Sequence, residues 1–326
     1  MGGWTIHPAS YLFSHCPKVP GIFLWGESVR HRYTVVVREV PGTLPFCLNY
    51  PARKKPVPEL PEVETYVREL RPRLAGKLIT DGHIYWPRII AQPAPDLFLE
   101  LIRGRRFDSF DRRGKYILLG LDSGESLIIH LRMTGEVRVH PATVEADKHT
   151  HLLLDLEGGE RLHYRDPRKF GRIWLVDDTA SVLSKLGPEP FSARFTAADL
   201  GERLAGRSAS IKALLLDQTI LAGVGNIYAD EALFRARIDP RRAGGDLSGA
   251  EVEVLREAVV AVLQAGIDGR GSSLQNYAPP GGEKGSFQEQ HQVFRRTDRP
   301  CYRCGTPIRR VVLAQRSTHF CPACQV

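Results

Sequence analysis

The sequence predicts an α+β protein of two domains that ends in a small metal-binding module. Three observations lead to this prediction. After one early helix, residues 58–183 consist mostly of short apolar runs bounded by glycines, which is typical of β-strands. Helical patterns replace these runs after Gly187-Pro188-Glu189-Pro190. Near the C-terminus, two CxxC pairs are separated by sixteen residues.

The early helix begins within Pro58-Glu59-Leu60-Pro61-Glu62-Val63-Glu64-Thr65. Pro61 suits the first turn of a helix, where a backbone N–H has no partner to lose. Glu62 and Glu64 lie in that turn, and the helix dipole favours negative charge there. Apolar residues then recur at helical spacing. On this pattern alone, the stretch could be no more than a well-started helix.

The strand-like runs of the first domain are 115–121, 127–131, 136–140 and 152–156. Asp122-Ser123-Gly124-Glu125 joins the first two runs as a hairpin turn, and Glu157-Gly158-Gly159-Glu160 is a second turn. This arrangement predicts a β-sandwich or a flattened barrel. In the second domain we predict helices over 197–204, 210–216, 226–236 and 249–266, followed by a loop rich in glycine and proline over 268–286.

Charge favours a polyanionic partner. The chain carries a formal charge of +8 and has a pI of about 9.3. Residues 1–57 hold seven Lys/Arg and two Glu, and residues 295–316 hold seven arginines and one aspartate. No apolar run approaches the ~18 residues that a membrane span needs. Residues 1–57 also lack the pattern of a secretory signal.

Residues 1–57 differ from the rest of the chain. They contain isolated Cys16 and Cys47, no aspartate, and one β-like run over 33–37 without an obvious partner. They end in a proline-bounded basic stretch over 51–56, which reads as a linker. We therefore predict no domain in this segment.

The two CxxC pairs are the strongest chemical signal. They consist of Cys301, Cys304, Cys321 and Cys324. Four thiolates at this spacing can close a tetrahedral zinc shell that leaves no open position for catalysis. A redox pair or unrelated thiols are the alternatives. Between the pairs, residues 308–313 predict a strand, and residues 315–318 predict a turn that presents Arg316 at the tip of a small hairpin.

Gly223-Val224-Gly225-Asn226-Ile227-Tyr228 predicts a tight turn that enters a helix with Asn226 as its N-cap. Free N–H groups at a helix N-terminus can bind phosphate. A capped, buried helix explains the same pattern, and the residues leave both interpretations open.

A second basic motif is Tyr164-Arg165-Asp166-Pro167-Arg168-Lys169-Phe170-Gly171-Arg172. Such a loop could contact phosphates and insert its aromatic ring into a base stack, or it could be a solvated turn. His149 and His151 share one strand face. Phosphate contact or ordinary hydrogen bonding suits them better than a metal site, because no carboxylate or cysteine cluster completes one.

Taken in order, these segments resemble the bacterial formamidopyrimidine-DNA glycosylase family from Pro58 to the C-terminus. The matching motifs are the Pro-Glu-Leu-Pro-Glu start, His130-Leu131-Arg132-Met133-Thr134-Gly135, Asp166-Pro167-Arg168-Lys169-Phe170-Gly171, Gly223–Tyr228 and the CxxC pairs. The resemblance implies an N-terminal β-sandwich, a helix–two-turn–helix domain and a C-terminal zinc-finger β-hairpin. It also implies base-excision repair, in which 8-oxoguanine and formamidopyrimidines are excised and an AP lyase activity nicks the strand by β,δ-elimination.

The resemblance assigns boundaries and partners. We expect a non-native or disordered extension over 1–57, the catalytic domain over 58–187, the helix–two-turn–helix domain over 188–290 and the zinc finger over 291–326. Damaged double-stranded DNA would be the partner and one structural Zn²⁺ the cofactor. We expect a monomer without a membrane association, located in the bacterial cytoplasm at the nucleoid.

The resemblance also implies a role for each matching residue. Pro58, through a free terminal amine, would be the nucleophile that forms a Schiff base. Glu59 would move protons at the sugar, and Glu62 would help to hold the site. Lys115 would serve β-elimination, and Arg316 would serve δ-elimination. DNA contacts are expected from His149, Arg168, Lys169, Arg207, Lys212 and Asn226. The space left by a flipped base would be filled by Met133, Arg168 and Phe170, and the zinc ligands would be Cys301, Cys304, Cys321 and Cys324.

Pro58 conflicts with this resemblance, because an amide nitrogen at residue 58 has no usable lone pair. Our interpretation is that Val57 is the true start, read as methionine and then removed, so that residues 1–57 are a gene-prediction artefact. If the extension is real, a catalytically silent zinc protein that binds DNA lesions is the alternative. The sister family, endonuclease VIII, prefers oxidised pyrimidines, but it has glycine where this chain has Leu60. The segment over 271–277 also resembles the loop that closes over a flipped base in the purine-specific family.

Overall fold

The computed structural model describes residues 58–272 and 285–326, together with the backbone of two strands near the N-terminus. The chain divides into two compact units, Met1–Lys54 and Lys55–Val326. In the first unit, β1 (Trp25–Val29) pairs with β2 (Arg32–Val36) in an antiparallel hairpin. The β-like run over 33–37 therefore has a partner, which the sequence analysis failed to identify. The rest of the predicted extension lies outside the described residues.

The second unit opens with helix α1 (Leu60–Leu74). Glu59 is its N-cap, and a reciprocal capping box joins Glu59 to Glu62. The Glu59 N–H donates to the Glu62 carboxylate at 2.9 Å. The predicted start of this helix is confirmed. Its buried face includes Leu60, Val63 and Leu70.

Two sheets follow and pack face to face. Along the chain, helix α2 (Pro95–Ile102) comes after the first two strands and before the others. The strands are β3 (Ile79–Ile84), β4 (Ile90–Gln92), β5 (Phe107–Arg113), β6 (Tyr116–Leu121), β7 (Ser126–His130), β8 (Glu136–Pro141), β9 (Thr150–Leu156), β10 (Glu160–Arg165) and β11 (Arg172–Val176). One sheet has the order β3-β9-β10-β8 and the other the order β4-β11-β7-β6-β5. One core of buried side chains, among them Ile117, Ile129, Leu152 and Leu154, fills the space between them. The predicted β-sandwich is confirmed.

A helical region with its own core follows the sandwich. Its helices are α3 (Ala180–Leu183), α4 (Ala197–Leu204), α5 (Ile211–Leu216), α6 (Asn226–Ala236) and α7 (Gly249–Asp268). Helices α4 and α6 have the predicted bounds, and Ser210 caps α5 through its side chain. The second core includes Leu215, Leu233 and Leu263, and Leu60 of α1 belongs to it as well. Helix α1 therefore contributes to both cores and links the two domains.

The C-terminal module is a hairpin of β12 (Arg309–Leu313) and β13 (Arg316–Phe320). Ala314 and Gln315 form its turn, with φ values of 44° and 60°. The prediction of a turn over 315–318 is therefore wrong by about two residues: Arg316 begins the second strand, where it pairs with Leu313 next to the tip. Among the described residues, no helix combines the length and the apolar character that a membrane crossing requires.

Candidate active site

The start of the family-like segment docks onto the N-terminus of helix α6. The Leu60 N–H donates to the carbonyl of Gly223 at 3.1 Å. One Glu59 carboxylate oxygen accepts from the Ile227 N–H at 3.0 Å, and the other lies 3.5 Å from the Tyr228 nitrogen. Glu59 is therefore the anion that occupies the positive end of α6. Pro58, half-buried, immediately precedes it.

This contact corrects one prediction. The N-cap of α6 is Gly225, and Asn226 is its first helical residue. Asn226 does not cap the helix because a carboxylate from residue 59 satisfies the helix N–H groups instead. The Asn226 side chain turns to the zinc-finger hairpin, where it donates to the Ser317 carbonyl at 2.9 Å. Of the two interpretations of this motif, the capped, buried helix matches the structure.

Two glycines permit this close approach. Gly223 has a φ of +90°, and a Cβ atom there would lie 2.8 Å from the Leu60 Cβ. At Gly225, a Cβ would lie 2.6 Å from the Glu59 carboxylate oxygen. Both distances are too short for real side-chain contacts. The glycine spacing in this motif therefore serves the docking of Leu60 and Glu59.

Lys115 approaches the same place from the sandwich. It lies in the turn between β5 and β6, and its ammonium donates to the Val224 carbonyl at 2.8 Å. Burial lowers the pKa of Lys115, and the negative charges of Glu59 and Glu62 oppose that shift. The turn is fixed by Glu189, which accepts from the Gly114 N–H and pairs with Arg112 at 2.8 Å. Lys115 is thus held at the boundary between the two domains.

The acids of the site are buried. Burial raises the pKa of Glu59 to about 7, although the positive charge of Lys115 acts in the opposite direction. Burial also raises the pKa of Glu62. Glu62 accepts from the Tyr228 hydroxyl at 2.9 Å and from the Ser272 N–H at 2.7 Å. A carboxyl group that titrates near neutrality can both give and take a proton at physiological pH, which suits proton transfer.

The three residues predicted to fill the space of a flipped base lie together. The Arg168 guanidinium donates to the Met133 sulfur at 3.1 Å and lies 4.6 Å from the centre of the Phe170 ring. Phe170 is 47% exposed, and the arginine and lysine that precede it in this basic turn are exposed as well. The structure therefore presents an aromatic ring and a cation on one exposed loop.

The loop is organised by Asp166, which sequence reasoning did not single out. Asp166 is fully buried, and its carboxylate accepts from the Phe170 and Gly171 N–H groups, each at 2.8 Å, and from the Thr134 hydroxyl. His151 bonds the Asp166 carbonyl at 2.8 Å, so it makes the ordinary hydrogen bond that was one of its two expected roles. The Asp-Pro pair at the start of a basic turn was the available signal, because aspartate often accepts N–H groups within turns.

The remaining predicted DNA contacts differ in exposure. His149 is half-buried just before β9. Lys169 is exposed, and its ammonium lies 3.9 Å from the centre of the Trp86 ring. Arg207 is exposed, well separated in sequence from the basic loop.

Lys212 is fully buried, where it pairs with Asp230 and donates to the Ser317 carbonyl at 3.0 Å. A direct contact between its ammonium and a phosphate would require this ion pair to open. The DNA-contact role of Lys212 therefore stays a prediction, and a charge test of DNA binding is better placed at exposed Arg168.

The four predicted metal ligands lie together at the base of the hairpin. All four cysteine sulfur atoms are within 4.8 Å of one another. This group is the sole cluster of its kind found among the described residues. Four closely spaced sulfurs are the donor set that zinc takes in structural sites. The residues therefore fit the cofactor that the sequence predicts.

Matches to known proteins agree with this architecture. Three family models match: the formamidopyrimidine-DNA glycosylase N-terminal domain over 57–173, the H2TH domain of the same glycosylase over 186–277, and a zinc finger found in FPG and IleRS over 299–326. Formamidopyrimidine-DNA glycosylase from Herpetosiphon aurantiacus is 47% identical over 272 residues, which cover 82% of this chain and 100% of the relative. The same enzyme from Chloroflexus aurantiacus is 49% identical over 274 residues, with 83% and 98% coverage.

Solved structures show the same likeness. MutM (FPG) from Thermus thermophilus has a TM-score of 0.75 at 43% identity and covers 82% of this chain and 98% of its own. A variant of Lactococcus lactis FPG in complex with a Fapy-dG-containing DNA has a TM-score of 0.78 at 36% identity, with 82% and 99% coverage. A complex of the Lactococcus lactis enzyme with abasic-site DNA has a TM-score of 0.77 at 36% identity, with the same coverage.

A β-sandwich with a buried acid pair, joined to a helical domain and a four-cysteine finger, defines a DNA glycosylase of base-excision repair. The matches are specific enough to go further. The chain belongs to the formamidopyrimidine-DNA glycosylase family.

Proposed function

We propose that this protein excises 8-oxoguanine and formamidopyrimidines from duplex DNA and then nicks the strand, with Pro58 as the nucleophile. The docking of Pro58-Glu59 onto α6, opposite the Lys115 ammonium, is the observation that supports this proposal most directly. The proposed nucleophile directly precedes Glu59, whose pKa is raised by burial to about 7, and this supports a proton transfer next to Pro58. Two structural relatives, solved in complex with Fapy-dG-containing DNA and with abasic-site DNA, favour the same substrates.

The chemistry begins at the sugar. A secondary α-amine has a pKa near ~8, so a useful fraction is unprotonated at neutral pH. Its attack on C1′ forms a carbon–nitrogen bond, and the bond to the damaged base breaks as the base leaves with its electron pair and gains a proton. Glu59 is placed to protonate the sugar ring oxygen as the ring opens. The resulting iminium withdraws electrons from C2′. A proton is then lost from C2′, a C2′–C3′ double bond forms and the C3′–O bond breaks as the 3′ phosphate leaves with its electron pair; Lys115, in its unprotonated form, is the proposed acceptor of the C2′ proton.

A free amine at Pro58 is required for this reaction. The family model begins to match at residue 57, and the Herpetosiphon relative is covered completely by 82% of this chain. We therefore propose that the active form begins at Pro58. Residues 55–326 belong to one compact unit, so such a form keeps the sandwich, the helical domain and the finger.

The experiment compares two forms. A chain expressed as Met-Pro58 to Val326, with the methionine removed, should become covalently linked to 8-oxoguanine DNA when borohydride reduces the iminium. The 326-residue chain, verified by intact mass, should give no such adduct and should hold the same amount of zinc. Trapping of the long form, with the crosslink mapped away from Pro58, would mean that another amine such as Lys115 is the nucleophile.

Met133, Arg168 and Phe170, which come from two neighbouring loops, are proposed to occupy the gap that the flipped base leaves. The exposed ring and guanidinium support this role, because both can stack against bases. Equal rates on duplexes with 8-oxoguanine and with oxidised pyrimidines would favour the endonuclease VIII interpretation over the purine preference proposed here.

One Zn²⁺ is proposed for Cys301, Cys304, Cys321 and Cys324, where it would stabilise the finger without taking part in the reaction. The remaining predicted contacts, His149, Lys169, Arg207, Lys212 and Asn226, stay proposals for DNA binding. We propose that the protein binds damaged double-stranded DNA as a monomer and acts at the bacterial chromosome, because that is where such a substrate is found.

A further inference from the structure

We infer that Asp230 is a positioning residue for δ-elimination: its buried carboxylate holds strand β13, and with it Arg316, against helix α6. This inference rests on the proposed function, in which Arg316 serves δ-elimination. It adds a residue that touches neither the zinc ligands nor the nucleophile.

The Asp230 carboxylate joins three elements. It is 1% exposed, and one oxygen accepts from the Lys212 ammonium of α5. The other oxygen accepts from both the backbone N–H and the Nδ1 of His319, each at 3.0 Å. His319 lies in β13, whereas Asp230 lies in α6. A buried carboxylate with several donors is costly to disturb, because removing it leaves the Lys212 charge without a partner.

A second connection lies one residue beyond Arg316. The Ser317 carbonyl accepts from the Lys212 ammonium at 3.0 Å and from the Asn226 side chain at 2.9 Å. Strand β13 is therefore attached to the helical domain at residues 317 and 319. Arg316, directly before these attachments, is exposed. Arg316 is the first residue of β13, so its position depends on how that strand is held.

Arg316 lies close enough to the catalytic centre for its charge to be felt there. Burial is the main cause of the lowered pKa of Lys115, and the positive charge of Arg316 adds to it. The four cysteines lie at the end of the hairpin that is opposite to its turn. Cys321 and Cys324 follow β13, whereas the turn at 314–315 directly precedes β13. Zinc would fix the base of the hairpin, and Asp230 holds β13 at His319, near that base. Asp230 also pairs with Lys212, which together with Asn226 holds the strand at Ser317, next to Arg316.

The test uses the zinc-loaded chain from Pro58 to Val326 on a duplex with a preformed abasic site. Under single-turnover conditions we compare the rate of borohydride trapping with the fraction of product that has undergone δ-elimination. The variants are Asp230→Asn, Arg316→Ala, His319→Leu and His319→Asn. Asp199→Asn is the control, because it removes a carboxylate–arginine pair of the helical domain that lies within α4, between Asp199 and Arg203.

His319→Asn and His319→Leu separate positioning from folding. The asparagine amide can donate to Asp230 from about the place of Nδ1, whereas leucine cannot. In Asp230→Asn and His319→Leu we expect the δ-product fraction to fall about tenfold or more, as for a misplaced catalytic group. Trapping should change by less than about threefold, because the nucleophile is untouched. His319→Asn and Asp199→Asn should resemble the parent.

Hydrogen exchange gives a readout independent of activity. The His319 amide, which donates to Asp230, and the amides of 316–318 should exchange faster in Asp230→Asn and His319→Leu, with zinc content unchanged. Faster exchange with an unchanged δ fraction would overturn the positioning role. A parallel loss of trapping and δ-elimination would also overturn it, because it would mean general structural support.

The proposed function can fail separately. If Arg316→Ala keeps the δ-product fraction of the parent, Arg316 has no role in δ-elimination and that part of the proposed function is wrong. The inference that Asp230 serves δ-elimination would then be wrong as well. The hydrogen-exchange measurement would still decide whether Asp230 holds β13. Failure of Pro58 to form an adduct in the parent chain would instead refute the nucleophile.

Discussion

Gly225→Ala tests whether the docking of Glu59 on helix α6 is needed for catalysis. Gly225 has a φ of −130°, so alanine meets no backbone strain there. Its Cβ, however, would lie 2.6 Å from the Glu59 carboxylate oxygen and 2.7 Å from the Glu59 Cγ. The Glu59 side chain must therefore move off the N–H groups of Ile227 and Tyr228.

The expected magnitudes follow from these contacts. Overpacking a tight site costs about 1–3 kcal/mol. If the Glu59 side chain moves away instead, the protein loses a hydrogen bond to a charged group, which is worth about 1.5–3 kcal/mol. The two costs are alternatives, so we expect about 2 kcal/mol and a fall in Tm of about 4–8 °C for a protein of this size. Because Glu59 would be displaced by about 1 Å, excision should slow by roughly 100-fold.

The assay is single-turnover excision of 8-oxoguanine by the chain that begins at Pro58, together with Tm and DNA affinity. Affinity should stay near that of the parent, because Gly225 is buried. Gly201→Ala is the control: it lies within α4, and its nearest neighbour to a new Cβ would be the Val252 Cγ1 at 3.9 Å. It should stabilise the protein by about 0.5–1 kcal/mol and leave excision unchanged. Parental Tm and rate in Gly225→Ala would refute the docking argument.

Other predictions test separate parts of the molecule. Cys301→Ser should lose both zinc and strand nicking, and protein purified without chelator that contains no zinc by elemental analysis would contradict the cofactor. Phe170→Ala should slow excision more than it weakens nonspecific binding, whereas Val254→Ala, at an equally exposed site, should do neither. Arg168→Ala should reduce the slope of log affinity against log salt by about one, and an unchanged slope would remove Arg168 from the interface. Burial raises the pKa of Glu231 to about 7, so ionised Glu231 destabilises the fold. As the pH rises from 4.5 to 7, the contribution of Glu231 to the free energy of unfolding should therefore decline by about 3 kcal/mol. Urea unfolding should show that Glu231→Gln has lost this pH dependence.

Local patterns in the sequence were sufficient for many elements. Helices α4 and α6 have bounds that capping residues and apolar periodicity predicted, and four of the strands lie where alternating apolar runs placed them. The cysteine cluster was predictable for the same reason, since ligand spacing is a local property. These features depend on residues that are close together in the chain.

Several strands were missed because their sequences do not alternate clearly. Strand β3 contains Asp81 and Gly82 and is largely exposed at the edge of its sheet. Strand β5 is rich in charged residues because Arg112 and Arg113 pair with Glu189 at the domain boundary. In an edge strand, or in a strand at a domain boundary, solvent or charged partners from other parts of the chain cover the side chains. Such a strand lacks the alternating apolar face by which a strand is recognised in a sequence.

The site was predictable in its residue types but not in its partnerships. Nothing local indicates that Glu59 would cap a helix that begins 167 residues later, or that Lys212 would be buried against Asp230. Asn226 was predicted as the N-cap because asparagine favours that position. The structure gives the capping role to a carboxylate from another element, which frees the asparagine side chain for the zinc finger.

Helix α6 shows why these distant partnerships matter for function. Its N–H groups hold Glu59, its Tyr228 hydroxyl donates to Glu62, and its Asp230 holds β13. Glu231, the next residue, accepts the N–H groups of residues 292–294, which lead into the finger. Residues 227–231, five consecutive positions of one helix, therefore hold the segment of the proposed nucleophile, the second buried acid and the hairpin that carries Arg316. Since a helix is rigid over this length, a shift of the finger relative to the sandwich must break one of these buried contacts.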